Sequence, residues 1–192
     1  MLVLVLGLIV FIGTHSARIF ADPWRTAVIA RSGAGRWKLL FTLLSLIGFV
    51  LIIWGYGQAR TAPIPVWMPP VWARHLTGLL VLLAFVLVAA AYVPGNAIRA
   101  RLHHPMILGV KTWAFAHLIA NGSLAGIVLF GTFLVWAVLS FRAARRRDRA
   151  AGTVYPAGTV AGTAVAIVAG LIAWAAFAFW LHGALIGVRP FG

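Results

Sequence analysis

Residues 39–56 read LLFTLLSLIGFVLIIWGY, with no charged side chain among them. At a rise of about 1.5 Å per residue a helix over this run is roughly 27 Å long, close to the ~30 Å hydrocarbon core of a bilayer. Working outward, comparable apolar runs occupy Leu2–Phe20, Leu76–Val93, Met106–Ala120, Leu124–Phe141 and Gly158–Leu181. A chain of 192 residues cannot hide that much apolar surface in a soluble core. The expected fold is therefore all-α: a polytopic transmembrane bundle of six spans in a single domain, residues 1–192. The fourth run is the shortest and contains Lys111. The first run has neither a basic leader nor a small-residue cleavage site, so it reads as an anchor and not as a removable signal.

Composition agrees. The chain is 63% hydrophobic and only 9% charged, against roughly 25% charged in soluble proteins. Sixteen Lys and Arg face two acids, Asp22 and Asp148, and there is no Glu. Carboxylate pairs for glycoside chemistry are excluded. So are carboxylate clusters for Mg, Ca or di-iron. With no cysteine there is no disulfide, thiolate nucleophile or thiolate-ligated metal.

The loops carry the orientation. Arg18, Arg25, Arg31, Arg36 and Lys38 lie at the end of the first span and in the loop after it. Arg99 and Arg101 follow the third, and Arg142, Arg145, Arg146, Arg147 and Arg149 follow the fifth. Even loops and the tail hold only Arg60, Arg74 and Arg189. Cytoplasmic loops concentrate Lys and Arg, so this split of twelve to three places both termini outside. The same bias explains the +14 charge without nucleic acid as a partner. The Arg142–Arg149 run reads as an anchor to anionic lipids at the cytoplasmic face. Asp22-Pro23 predicts an N-cap with proline at the first helical position, opening a short interfacial helix over 23–31. Ser32-Gly33-Ala34-Gly35 predicts a flexible break after it. Four prolines between 63 and 70, with Trp67 and Trp72, predict an extended outer loop at the aromatic belt.

Ionisable side chains inside a membrane are functional candidates. On this topology His15 lies about 7 Å from the cytoplasmic end of the first span. His103 and His104 start the fourth span at the same side. His75, His117 and His182 fall near the outer face. Two histidines from different spans at one depth fit the axial ligation of a b-type haem, which needs no cysteine. A hydrogen bond from Ser16 or Thr14 to His15 is the purely structural alternative. Lys111 lies seven residues after His104, within about 20° of the same helix face and roughly 10 Å deeper. Its cation either snorkels to the cytoplasm or meets an anion that is not protein, such as a cofactor carboxylate.

The segments Gly13-Thr14-His15-Ser16 and His104-Pro105-Met106-Ile107-Leu108-Gly109-Val110-Lys111-Thr112-Trp113-Ala114-Phe115-Ala116-His117 resemble the NnrU family of bacterial membrane proteins. The likeness extends over essentially the whole chain. It implies an inner-membrane location and a link to denitrification and nitric oxide reduction. Components of the respiratory nitrogen-oxide reductases would be the partners. The family is also similar to plant zeta-carotene isomerase, a membrane enzyme with b-type haem. By motif, His15 and His104 correspond to haem-ligand positions and His117 to a third motif histidine. A cysteine-for-histidine exchange at the iron, as the resemblance to the isomerase implies, has no thiolate to use in this chain. Three functions follow as expectations. The first is a haem b protein for redox or sensing, the second a haem-dependent cis–trans isomerase of a polyene, and the third a non-catalytic assembly factor.

Overall fold

The computed structural model describes residues 1–191 and is helical almost throughout. Five helices are long and apolar enough to cross a membrane. They are α1 (Leu2–Phe20), α3 (Ala34–Thr61), α4 (Val71–Tyr92), α7 (Leu124–Ala150) and α8 (Val160–Ala176), the last continued to Ile186. The continuation is a π-helical turn, Phe177–Leu181, and then α9 (His182–Ile186). The fourth expected span is α6 (Pro105–Ala120). It is apolar but has 16 residues, about 24 Å of rise. Pro105 sets its start, and Asn121 is already in an extended conformation at its end.

Two short helices complete the order. α2 (Asp22–Ser32) is a short helix where one was predicted, and it buries no residue. Its cap differs from expectation: Ala21 is the N-cap, and Asp22 lies inside the first turn without capping it. There the Asp22 carboxylate accepts from Arg25 Nη1 at 3.5 Å. The break that follows is one residue, Gly33 at φ +87, a conformation only glycine adopts readily. α3 resumes at Ala34. α5 (Ala97–Leu102) is capped by Asn96, whose side chain accepts from the Arg99 amide.

The chain forms two compact units. The first comprises Met1–Met68 and Gly122–Ala143. Its centre is the contact of α1 with α3. A Cβ on Gly7 would lie 2.6 Å from the Ile52 nitrogen, and one on Gly48 would lie 2.7 Å from the Phe11 nitrogen. Gly55 meets the Leu4 backbone still more closely. Lipid tails are as apolar as leucine, so helices in a membrane gain from close van der Waals packing, which small residues permit. The glycines bring the two backbones together and leave Leu4, Leu8 and Ile52 buried between them. α7 joins through Phe133, 5.8 Å from Phe11, and Phe130, 6.4 Å from Tyr56. The proline-rich stretch is extended and tied by Val66 and Leu124 amides to the Gly122 and Ile64 carbonyls.

The second unit comprises Pro69–Asn121 and the residues from Ala144 onward. α4 packs against α6 and α8. A Cβ on Gly170 would lie 2.5 Å from Val86 Cα, and the Thr77 hydroxyl donates to the Ala116 carbonyl at 2.8 Å. Asn96 is the one buried polar side chain among the described residues. Its amide donates to the Ala90 and Val93 carbonyls, so the turn out of α4 is closed from inside.

Candidate functional site

His15 sits on α1 in the first unit. Its Nδ1 lies 2.8 Å from the Phe11 carbonyl one turn back. A carbonyl only accepts, so Nδ1 carries a proton, and in the neutral ring Nε2 carries the lone pair. Metal-binding histidines are typically held this way. The partner is therefore the backbone, and not Ser16 or Thr14; the Thr14 hydroxyl instead donates to Val10. Aromatic rings fix the imidazole. Phe11 stacks on it at 4.2 Å, Phe41 lies at 4.9 Å, and Trp136 meets it edge-on at 6.1 Å. The Trp136 Nε1–H is buried and has no hydrogen-bond partner among the described residues. A buried donor left unpaired is costly and calls for an explanation.

A cavity of about 550 Å³ opens beside His15, lined by residues of α1, α2 and α3. Its walls include the rings of Trp37 and Phe41 and the cations of Arg18, Arg25 and Lys38. The Arg25 guanidinium lies 5.7 Å above the Trp37 ring, and Trp24 packs edge-on against that ring at 5.9 Å.

His104 is arranged differently. It is the N-cap residue of α6 in the second unit, and its Nε2 donates to Asp148 at 2.7 Å. No acid lies within any of the apolar runs, and the carboxylate that meets His104 comes from outside them. Asp148 lies past the apolar run of α7, in the basic extension, and reaches back to the start of α6. It also accepts from the Tyr155 hydroxyl at 3.0 Å and from Arg145 at 3.5 Å. Partial burial pushes the Asp148 carboxyl up, but the hydrogen bonds from His104 and Tyr155 and the charge of Arg145 outweigh it and hold it below the usual range. Burial and the same carboxylate push the Tyr155 phenol up, so it stays a donor. His103 accepts from Arg145 and packs its ring, tilted by 33°, against Tyr155 at 4.2 Å. Its backbone has φ +69, the only positive φ at a non-glycine residue among those described. Arg145, expected to face lipid phosphate, is thus turned onto His103 and Asp148.

The remaining candidates lie apart from this cluster. Lys111 is exposed on α6 and makes no hydrogen bond or ion pair among the described residues. His117 repeats the His15 pattern, with Nδ1 2.9 Å from the Trp113 carbonyl and the Trp113 ring 5.2 Å away. His182 Nδ1 bonds the Val188 carbonyl at 2.6 Å. Among the described residues no group of three or more His, Asp or Glu side chains could hold a bare metal ion.

The family model described as NnrU protein matches residues 3–190, so the chain belongs to the NnrU family. No curated protein and no solved structure matches it.

Proposed function

We propose that this NnrU-family membrane protein binds b-type haem at His15 and serves redox or sensing in denitrification, in the bacterial inner membrane. The observation that carries the haem reading is the His15 ring. Its proton is directed to the Phe11 carbonyl, its Nε2 is left as the lone-pair nitrogen, and three aromatic side chains hold it in place. The Trp136 N–H beside it, buried and unpaired, is a donor suited to a group that the protein does not supply. Bound haem would supply reversible one-electron chemistry or a site for nitric oxide. The protein's own part is to orient the imidazole, exclude water with Phe11, Phe41 and Trp136, and balance carboxylate charge with nearby cations. His104 and His117 are the other motif histidines that would offer an imidazole to haem. His104 has its Nε2 given to Asp148, so it would have to surrender that bond to ligate through that nitrogen. The respiratory part of the reading rests on the family alone.

Titrating haem into purified protein tests the site. His15→Ala should abolish the low-spin spectrum, and Trp136→Phe should weaken retention by several-fold while leaving the fold intact. A His15→Ala protein with an unchanged haem spectrum removes His15 from the site.

A further inference from the structure

We propose that α2 is a hinged lid beside His15, which swings on Ala21 and Gly33 and controls what reaches the imidazole through the cavity. α2 supplies Arg25 and Ile29 to the cavity wall, and His15 and Trp37 line the same space. Arg25 and Ile29 stand at i and i+4, so one face of the helix is turned to the cavity.

A single-residue break bounds α2 at each end. Ala21, at φ −135 and ψ 37, separates it from α1, and Gly33, at φ 87 and ψ 151, separates it from α3. Hinges are a few residues at element ends that absorb a change of backbone angle, often small ones. Gly33 suits the role because no Cβ restricts its φ. Little else ties the helix down. None of its residues is buried. Its side-chain hydrogen bonds close within the helix: Arg25 donates to the Asp22 carboxylate, Thr26 to the Asp22 carbonyl and Ser32 to the Val28 carbonyl. Its ring contacts among the described residues both fall on Trp37 of α3, with Trp24 edge-on at 5.9 Å and the Arg25 guanidinium at 5.7 Å. Segments with few buried apolar contacts open at a lower free energy than the core around them. α1 and α3, by contrast, meet backbone to backbone at Gly7, Gly48 and Gly55. The lid therefore moves against a fixed floor, and Trp37 is its latch. The inference takes His15 as the site from the reading above but needs no iron, because access belongs to the imidazole whatever it binds.

The test uses the full chain in detergent without haem. Diethyl pyrocarbonate acylates an unprotonated ring nitrogen, and peptide mass spectrometry reads the rate at each histidine. Hydrogen exchange over residues 22–33 follows the lid in parallel samples. In wild type that segment should exchange faster than the apolar parts of α1 and α3. Trp24→Ala removes half of the latch but no residue of the cavity wall. It should raise exchange over 22–33 and speed acylation of His15 by roughly two- to tenfold, the range that loss of one aromatic contact gives. His182 and the exchange of α3 should be unchanged. Trp24→Phe keeps a ring against Trp37 and should fall between the two, which separates a loosened latch from a damaged fold. Faster exchange over 22–33 with His15 acylated at the wild-type rate overturns the proposal, since α2 would then move without controlling access. So does wild-type exchange over 22–33 no faster than in α1 and α3, since α2 would then open only with the whole fold. Haem enters neither measurement, so failure of the lid and failure of the haem reading are told apart.

Discussion

At His15 a backbone carbonyl fixes the proton on Nδ1; at His104 a carboxylate takes Nε2. The difference sorts residues that depth and motif alone grouped together. His75→Ala and His182→Ala should leave a haem spectrum unchanged, whereas His15→Ala should remove it; absorbance of the purified variants decides. Lys111→Met should lower haem retention if the exposed cation meets a cofactor carboxylate, and full occupancy in that variant assigns Lys111 to snorkelling. Asp148→Asn removes the charge that His104, Tyr155 and Arg145 share. Hydrogen bonds to a charged group contribute about 1.5–3 kcal/mol, so its melting temperature in detergent should fall below wild type at neutral pH. The pH dependence follows in sign. The carboxyl is depressed in the folded state, so its contribution is complete above the ordinary Asp value of about 3.9 and is lost as pH falls through the lower folded value. Wild type should lose its margin over Asp148→Asn on acidification below about pH 4. The candidate histidines are legible in the sequence because polar residues in apolar runs stand out. Asp148 as a partner is not, because 44 residues separate it from His104 and helix periodicity says nothing about pairs so distant.

Among the elements, the contact of α1 with α3 rests on glycine. Gly55→Leu should separate the two helices, since overpacking costs about 1–3 kcal/mol or more and here the obstacle is the Leu4 backbone. Gly13 has open space around its missing Cβ, so Gly13→Ala should be neutral or stabilise by about 0.5–1 kcal/mol. Thermal unfolding in detergent compares the two, and a Gly55→Leu protein as stable as wild type contradicts the packing. Hydropathy located every long helix, since a run of apolar residues is its own signal. It found both ends of α1 but not those of α3. α3 begins at Ala34 and continues to Thr61, beyond the apolar run 39–56, because charged and polar residues extend a helix into the interface without breaking it. Nor could it see the π-helical turn at Phe177–Leu181. That turn depends on a local shift of backbone pairing and leaves no compositional mark.

For the whole molecule, the charge split favours a chain with both ends outside and the Arg142–Arg149 segment in the cytoplasm. A C-terminal alkaline phosphatase fusion should be active, and a C-terminal fluorescent reporter that matures only in the cytoplasm should be dark. The reverse pattern means an odd number of crossings, which the five long helices would supply if α6 does not span. Charge bias carries topology because it acts on loops irrespective of how spans pack. The proposed role is carried by one imidazole and its surroundings, so the most direct test is optical. A reduced-minus-oxidised spectrum of wild-type protein purified after haem-replete expression should show the sharp α and β bands of low-spin b-type haem, at close to one haem per chain. A featureless difference spectrum from folded, monodisperse protein would contradict haem binding and leave a non-catalytic assembly role in its place.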